Sequence, residues 1–128
     1  MYKTCLLIGL LCFAPSALSP QDPVKVDPSH YKVEFENAQV RVLRIRYGPH
    51  EKSVMHEHPA GVAVFLTEQS GKFTLADGRT VERNWKAGEA RWTPAEKHLP
   101  ENLSDKPLEL VLVELKPRRA AASPPKPK

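Results

Sequence analysis

Residues 53–66 read Ser-Val-Met-His-Glu-His-Pro-Ala-Gly-Val-Ala-Val-Phe-Leu. The unbroken apolar run Val62–Leu66 has the length of a strand, and it implies one covered on both sides or lining a barrel. Ser53–His58 reads as another extended piece. Alternate residues of an extended chain point to one face, so His56 and His58 share a face and Glu57 takes the other. Two imidazoles so placed can chelate one metal ion, whereas two imidazolium ions there would repel. The pattern also fits two histidines on a polar edge strand, or one satisfied core histidine.

The sequence on either side is strand-like. Tyr31, Val33 and Phe35 alternate with Lys32, Glu34 and Glu36. Val40 and Val42, then Leu43, Ile45 and Tyr47, form two alternating sets whose phase slip at Val42–Leu43 suggests a bulge. Gly48-Pro49 turns the chain. Phe73 and Leu75 lead into Asp77-Gly78, a hairpin signal, and Thr80–Trp85 returns. Ala87-Gly88 turns again, Ala90 and Trp92 share a face, and Leu108–Leu115 makes a long last strand. No window of ten residues holds a 3.6-residue period. Short strands with regular turns define an all-β fold, a sandwich or small barrel. A single core of this size buries little more than roughly 60% of its unfolded surface, so pairing of two copies through Tyr31–Phe35 would add stability.

Residues 1–19 have Lys3, an apolar core from Cys5 to Ala14, and a small-residue close, which describes a secretory signal peptide. The apolar core is too short to span a bilayer, which takes about 20 residues. Ala17-x-Ser19 and Ala14-x-Ser16 are the candidate cleavage signals. Both cysteines, Cys5 and Cys12, lie in this run, so its removal leaves no disulfide, thiolate site or cysteine nucleophile. The protein is expected to be exported, to the periplasm or as a secreted product. Residues 20–30, with Pro20, Pro23 and Pro28, read as an extended leader. Residues 31–116 form the β-barrel domain. Residues 117–128, rich in Pro, Lys and Arg, read as a disordered basic tail, a solvated end or a weak contact for an anionic membrane or envelope surface.

The net charge of +4 belongs to the ends. Between residues 20 and 115 there are 13 Lys and Arg against 15 Asp and Glu, which speaks against a nucleic-acid-binding domain. Of the five histidines, His50 falls in the turn after Gly48-Pro49, and His30 in the leader. His98 follows the turn-like Thr93–Lys97 at the end of an apolar strand, from where it could face back into a barrel mouth. Trp92, Phe65 and Phe73 could line an apolar pocket or simply fill the core. Arg91 should face opposite to Trp92, toward solvent or, if that side is the interior, toward an anionic ligand.

Gly48, His56-x-His58 and Gly71, followed by Gly88, Pro94, His98 and Asn102, resemble the two signatures of the cupin superfamily over about residues 40–115. There are departures. Seven residues rather than five separate Gly48 from His56, and Val62 or Ala63 stands where the family has its glutamate ligand. Glu96 replaces the glycine of the second signature, and His98 comes one residue early. The resemblance implies a cupin-type jelly-roll barrel and a metal site of three histidines, His56, His58 and His98. Imidazoles suit Fe, Zn, Ni, Mn or Cu, and three ligands leave open positions. Glu101, Glu96 and Asn102 are candidates to support His98, and the two carboxylates could equally be solvated. The chemistry implied is dioxygenase- or isomerase-like on a small molecule. The same fold also serves non-catalytic ligand binding or an envelope interaction.

Overall fold

The computed structural model describes residues 21–118. The expected signal peptide over residues 1–19, and the expected tail from residue 119 onward, lie outside the described residues. A one-turn helix α1 (Pro23–Val26) is followed by nine strands: β1 (Tyr31–Glu36), β2 (Val40–Tyr47), β3 (His56–His58), β4 (Gly61–Phe65), β5 (Gln69–Leu75), β6 (Thr80–Trp85), β7 (Ala90–Thr93), β8 (Glu96–Asn102) and β9 (Leu108–Leu115). They form two antiparallel sheets, ordered β1-β2-β9-β4-β7 and β3-β8-β5-β6, the two halves of a jelly roll. No helix among the described residues is long and apolar enough to cross a membrane.

The hairpin at Asp77-Gly78 forms as expected, with Gly78 at φ 85° and Asp77 Oδ1 accepting from the Arg79 amide at 3.0 Å. Gly61 is required for another reason. A Cβ built there would lie 2.3 Å from the Val113 carbonyl oxygen, so the close approach of β4 to β9 admits no side chain. The core lies on the inner face of the larger sheet, around Leu43, Ile45, Ala63, Phe65, Leu108 and Leu112.

Two local expectations are corrected. The bulge lies in β1, between Val33 and Phe35, and not at Val42–Leu43. There β2 pairs with β9 without a break from Val40↔Leu115 to Tyr47↔Leu108, and Val42 and Leu43 simply face opposite ways along the pleat. The extra residue, Glu34, swings out to meet Arg44 Nε at 3.2 Å. Residues 21–30 are likewise no extended leader. Asp22 caps α1 by accepting from the Val24 amide at 3.0 Å, and Pro23 occupies the first turn, where a missing amide costs nothing. The segment is tied to the barrel by Arg41 Nη1, which donates to Asp22 Oδ2 at 2.7 Å, and Asp27 is buried.

Candidate metal centre

The three candidate histidines come from two neighbouring strands of the smaller sheet. In β3 the pleat turns His56 and His58 inward, with exposures of 0% and 5%. In β8, His98 lies opposite His56 and Glu96 lies opposite His58. His98 is therefore inside a strand, not at the end of a turn; the turn expected over Thr93–Lys97 closes early and β8 begins at Glu96. The ring centroids stand 4.8, 5.2 and 5.5 Å apart, and one nitrogen from each ring lies within 4.8 Å of the others. These three residues can hold a single ion.

The partners on the far side of each ring decide which nitrogen is free. His56 Nδ1 donates to the Val54 carbonyl at 2.8 Å, His58 Nδ1 to Glu114 Oε1 at 2.6 Å, and His98 Nδ1 to Glu96 Oε2 at 2.9 Å. A carbonyl or carboxylate oxygen only accepts, so all three protons sit on Nδ1. In the neutral rings each Nε2 is left with a lone pair. Those of His56 and His58 face each other at 3.1 Å. Burial first, and then the neighbouring His58 and His98, lower the His56 pKa to about 3, so His56 itself is neutral near pH 7. Burial also lowers His98, against the opposing pull of its hydrogen bond to Glu96. Two nitrogens bound to one ion at about 2.0–2.1 Å stand on the order of 3 Å apart, so the donor set fits a cation.

A second layer holds this arrangement. Glu114 is 2% exposed and accepts from His58 on one oxygen and from Arg41 Nε on the other, at 2.6 Å. Burial raises the Glu114 pKa, but the hydrogen bonds from His58 and Arg41 outweigh it and leave the carboxyl below its usual range. Beneath His56, Ser53 Oγ lies 3.4 Å from Nδ1 and donates to Asp27 Oδ2, which also accepts from His30 Nδ1 at 2.7 Å. Tyr31 packs edge-on to His56 at 4.8 Å, and its hydroxyl meets that of Tyr47 at 2.5 Å. Beside the cluster lies a cavity of about 320 Å³ walled by Ile45, Ala63, Phe65, Phe73, Trp85 and Leu110.

Of the residues expected to support His98, only Glu96 does so. Glu101 projects from the opposite face of β8 and pairs with Lys72 Nζ at 2.8 Å. Asn102 is fully buried and ties together the loops on either side of it. Its amide donates to the carbonyls of Gly48 and Lys106 at 2.9 and 2.8 Å, and its Oδ1 accepts from the Ser104 amide and hydroxyl at 3.0 Å. His50 is exposed and meets Asp105. Phe65 and Phe73 line the cavity, whereas Trp92 stands at its edge, 62% exposed.

Glu114, which the sequence reading passes over, carries a signal of its own. It falls in phase with Leu108, Leu110 and Leu112 on the last strand. A carboxylate in the apolar phase of a buried strand requires a partner, because an unpaired buried charge is untenable.

No known family profile matches the sequence, and no curated protein matches it. Solved structures do. A cupin domain from Bordetella pertussis Tohama I superposes with a TM-score of 0.64 at 25% identity, over 68% of this chain and 92% of that one. A RmlC-like cupin with a double-stranded β-helix fold from Methanocaldococcus jannaschii gives 0.55 at 17% identity, covering 87% and 93%. A double-stranded β-helix protein from Klebsiella pneumoniae gives 0.54 at 19%, covering 80% and 81%. Fold and site together define a small single-barrel protein with an inward-facing histidine cluster. The chain belongs to the cupin superfamily.

Proposed function

We propose that the protein is an exported cupin in which His56, His58 and His98 bind one divalent transition metal ion (Fe, Zn, Ni, Mn or Cu) beside a cavity that receives a small molecule, with dioxygenase- or isomerase-like chemistry. The observation that carries this reading is the convergence of three inward-facing imidazoles, two buried and one half-buried, whose Nδ1 atoms are all engaged elsewhere. An ion held by three imidazoles keeps open positions and supplies Lewis acidity or oxygen activation. The chain supplies the rest. Glu114 and Glu96 fix the tautomer and the ring planes of His58 and His98. The apolar wall of Phe65, Phe73 and Trp85 keeps water away from the site. Export rests on the composition of residues 1–19, and pairing of two copies on β1, the outermost strand of its sheet, where Phe35 is 51% exposed.

The test is dioxygen uptake and isomerisation measured on protein loaded anaerobically with each metal, across a panel of small substrates. Metal-dependent turnover supports a catalyst. Tight metal binding without turnover on any of the panel points to a binding protein. The intact mass of the exported protein reads the removal of the signal peptide, and sedimentation reads the dimer.

A further inference from the structure

Two arginines stand at the mouth of the cavity beside the histidines. In the smaller sheet β6 is the outermost strand, and Arg83 lies opposite Gly71, whose neighbours Gln69 and Phe73 face inward. In the larger sheet β7 is outermost, and Arg91 lies opposite Ala63, a core residue that is 2% exposed. Residues paired across antiparallel strands share a face. Both arginines therefore belong to the inner faces of their sheets, and both line the cavity. Arg91 thus lies on the interior side of its sheet, with its side chain 60% exposed at the mouth.

Arg83 is not neutralised, and Arg91 has only a loose ion pair, with Glu89. Among the described residues no carboxylate forms an ion pair with Arg83, which instead sits 5.6 Å over the ring of Phe73. Phe73 in turn lies 5.1 Å from the His98 ring, so Arg83 and the histidine cluster flank one aromatic wall. Arg91 Nη2 is 3.6 Å from Glu89 Oε1, beyond hydrogen-bonding distance. On the inner face of β8, Glu96 is engaged by His98, and Glu101 pairs with Lys72 on the other face; Glu89 keeps one buried oxygen, Oε2, without a hydrogen-bond donor beside Arg91. A second observation points the same way: Thr93 Oγ1, on the same face of β7 as Arg91, is buried without a hydrogen-bond partner. Buried hydroxyls are normally paired, and a ligand oxygen would pair this one.

We infer that the cavity binds a small apolar carboxylate, its anionic group held by Arg83 and Arg91 with the Thr93 hydroxyl, and its apolar body against Phe65, Phe73 and Trp85. A planar guanidinium fork matches the two oxygens of a carboxylate. The volume of about 320 Å³ is at the small end for ligand pockets and suits a molecule of about one ring. This assigns a substrate class to the site proposed above. It rests on that cavity being the ligand site and not on the ion being present.

The test uses the full chain, both metal-loaded and chelator-treated. Phenylacetate, benzoate and hexanoate are titrated by calorimetry and by the fluorescence of Trp85 and Trp92, alongside phenylacetamide as the uncharged match for phenylacetate. At least one carboxylate is expected to bind, and phenylacetamide to bind at least about tenfold more weakly than phenylacetate. Arg83→Gln and Arg91→Gln should each weaken carboxylate binding by about tenfold or more, leaving amide binding, melting temperature and metal content unchanged. Thr93→Val should weaken it less. Equal binding of acid and amide, wild-type carboxylate affinity in the double arginine variant, or no binding of any of the three carboxylates in either metal state overturns the inference. Arginine-dependent binding by a chain that takes up no metal leaves this inference standing and removes the metal proposal.

Discussion

Replacing Glu114 with Gln probes the layer beneath the histidines. The side chain keeps its shape and loses its charge. At present its two oxygens accept from two donors, His58 Nδ1–H and Arg41 Nε–H, each at 2.6 Å. Glutamine offers one oxygen and one NH2 group, so one of the two donors is left facing another donor. If the amide oxygen stays with Arg41, the NH2 group favours the other tautomer of His58, whose Nδ1 then accepts and whose Nε2 carries the proton. That tautomer has no lone pair for a cation. Breaking one side of a buried ion pair costs about 3–5 kcal/mol. Arg41 keeps Asp22 at 2.7 Å, so the loss should fall near the lower end, ~3 kcal/mol. For a domain of this size that lowers the melting temperature by roughly 12–24 °C. Metal affinity, read by competition with a chromophoric chelator, should drop about 10- to 100-fold. Glu114→Gln protein that melts with the wild type and binds metal equally well would refute the account of how His58 is held.

Gly61→Ala should destabilise the domain by about 1–3 kcal/mol, because the new methyl group meets the Val113 carbonyl and not a mobile side chain; an unchanged urea midpoint would contradict the close β4–β9 approach. Acid should loosen the N-terminal segment. Burial raises the pKa of Asp22 and Asp27, but hydrogen bonds from Arg41 and the Val24 amide, and from Ser53, His30 and Ser29, outweigh it, so both carboxyls lie below the usual range. A carboxyl depressed in the folded state stabilises it above the unfolded value of about 3.9, and that contribution is lost as pH falls through the folded value. Amide exchange over residues 21–30 should therefore rise below about pH 4 relative to β9, and Asp22→Asn should show the faster exchange already at pH 7. A segment equally protected at pH 3 and pH 7 would count against this anchoring.

Much of this architecture is written in local patterns. The alternation of Tyr31–Phe35, the Asp77-Gly78 turn and the run Val62–Leu66 each announce a strand or hairpin from neighbours in sequence. The shared face of His56 and His58 follows from the pleat alone. What the sequence hides is register. Nothing near His98 says that it pairs with His56 across two strands, and the turn-like Thr93–Lys97 conceals the pleat that puts Glu96, and not Glu101, on the side of His98. Glu114 was legible in principle from its phase on the last strand, but its partners, His58 and Arg41, lie on two other strands. The misread leader has a different cause. Pro20, Pro23 and Pro28 point to an extended chain, yet behind an aspartate cap Pro23 starts a helix.

The most direct test of the metal centre is stoichiometry. The protein, purified without an affinity histidine tag, is reconstituted anaerobically and its metal quantified by mass spectrometry, alongside His56→Ala, His58→Ala, His98→Ala and, as a control, His50→Ala at the exposed turn. The account predicts near one equivalent of a transition metal in the wild type and in His50→Ala, and its loss from each of the other three. Metal-free wild-type protein, or metal retained when the cluster histidines are removed, would contradict it.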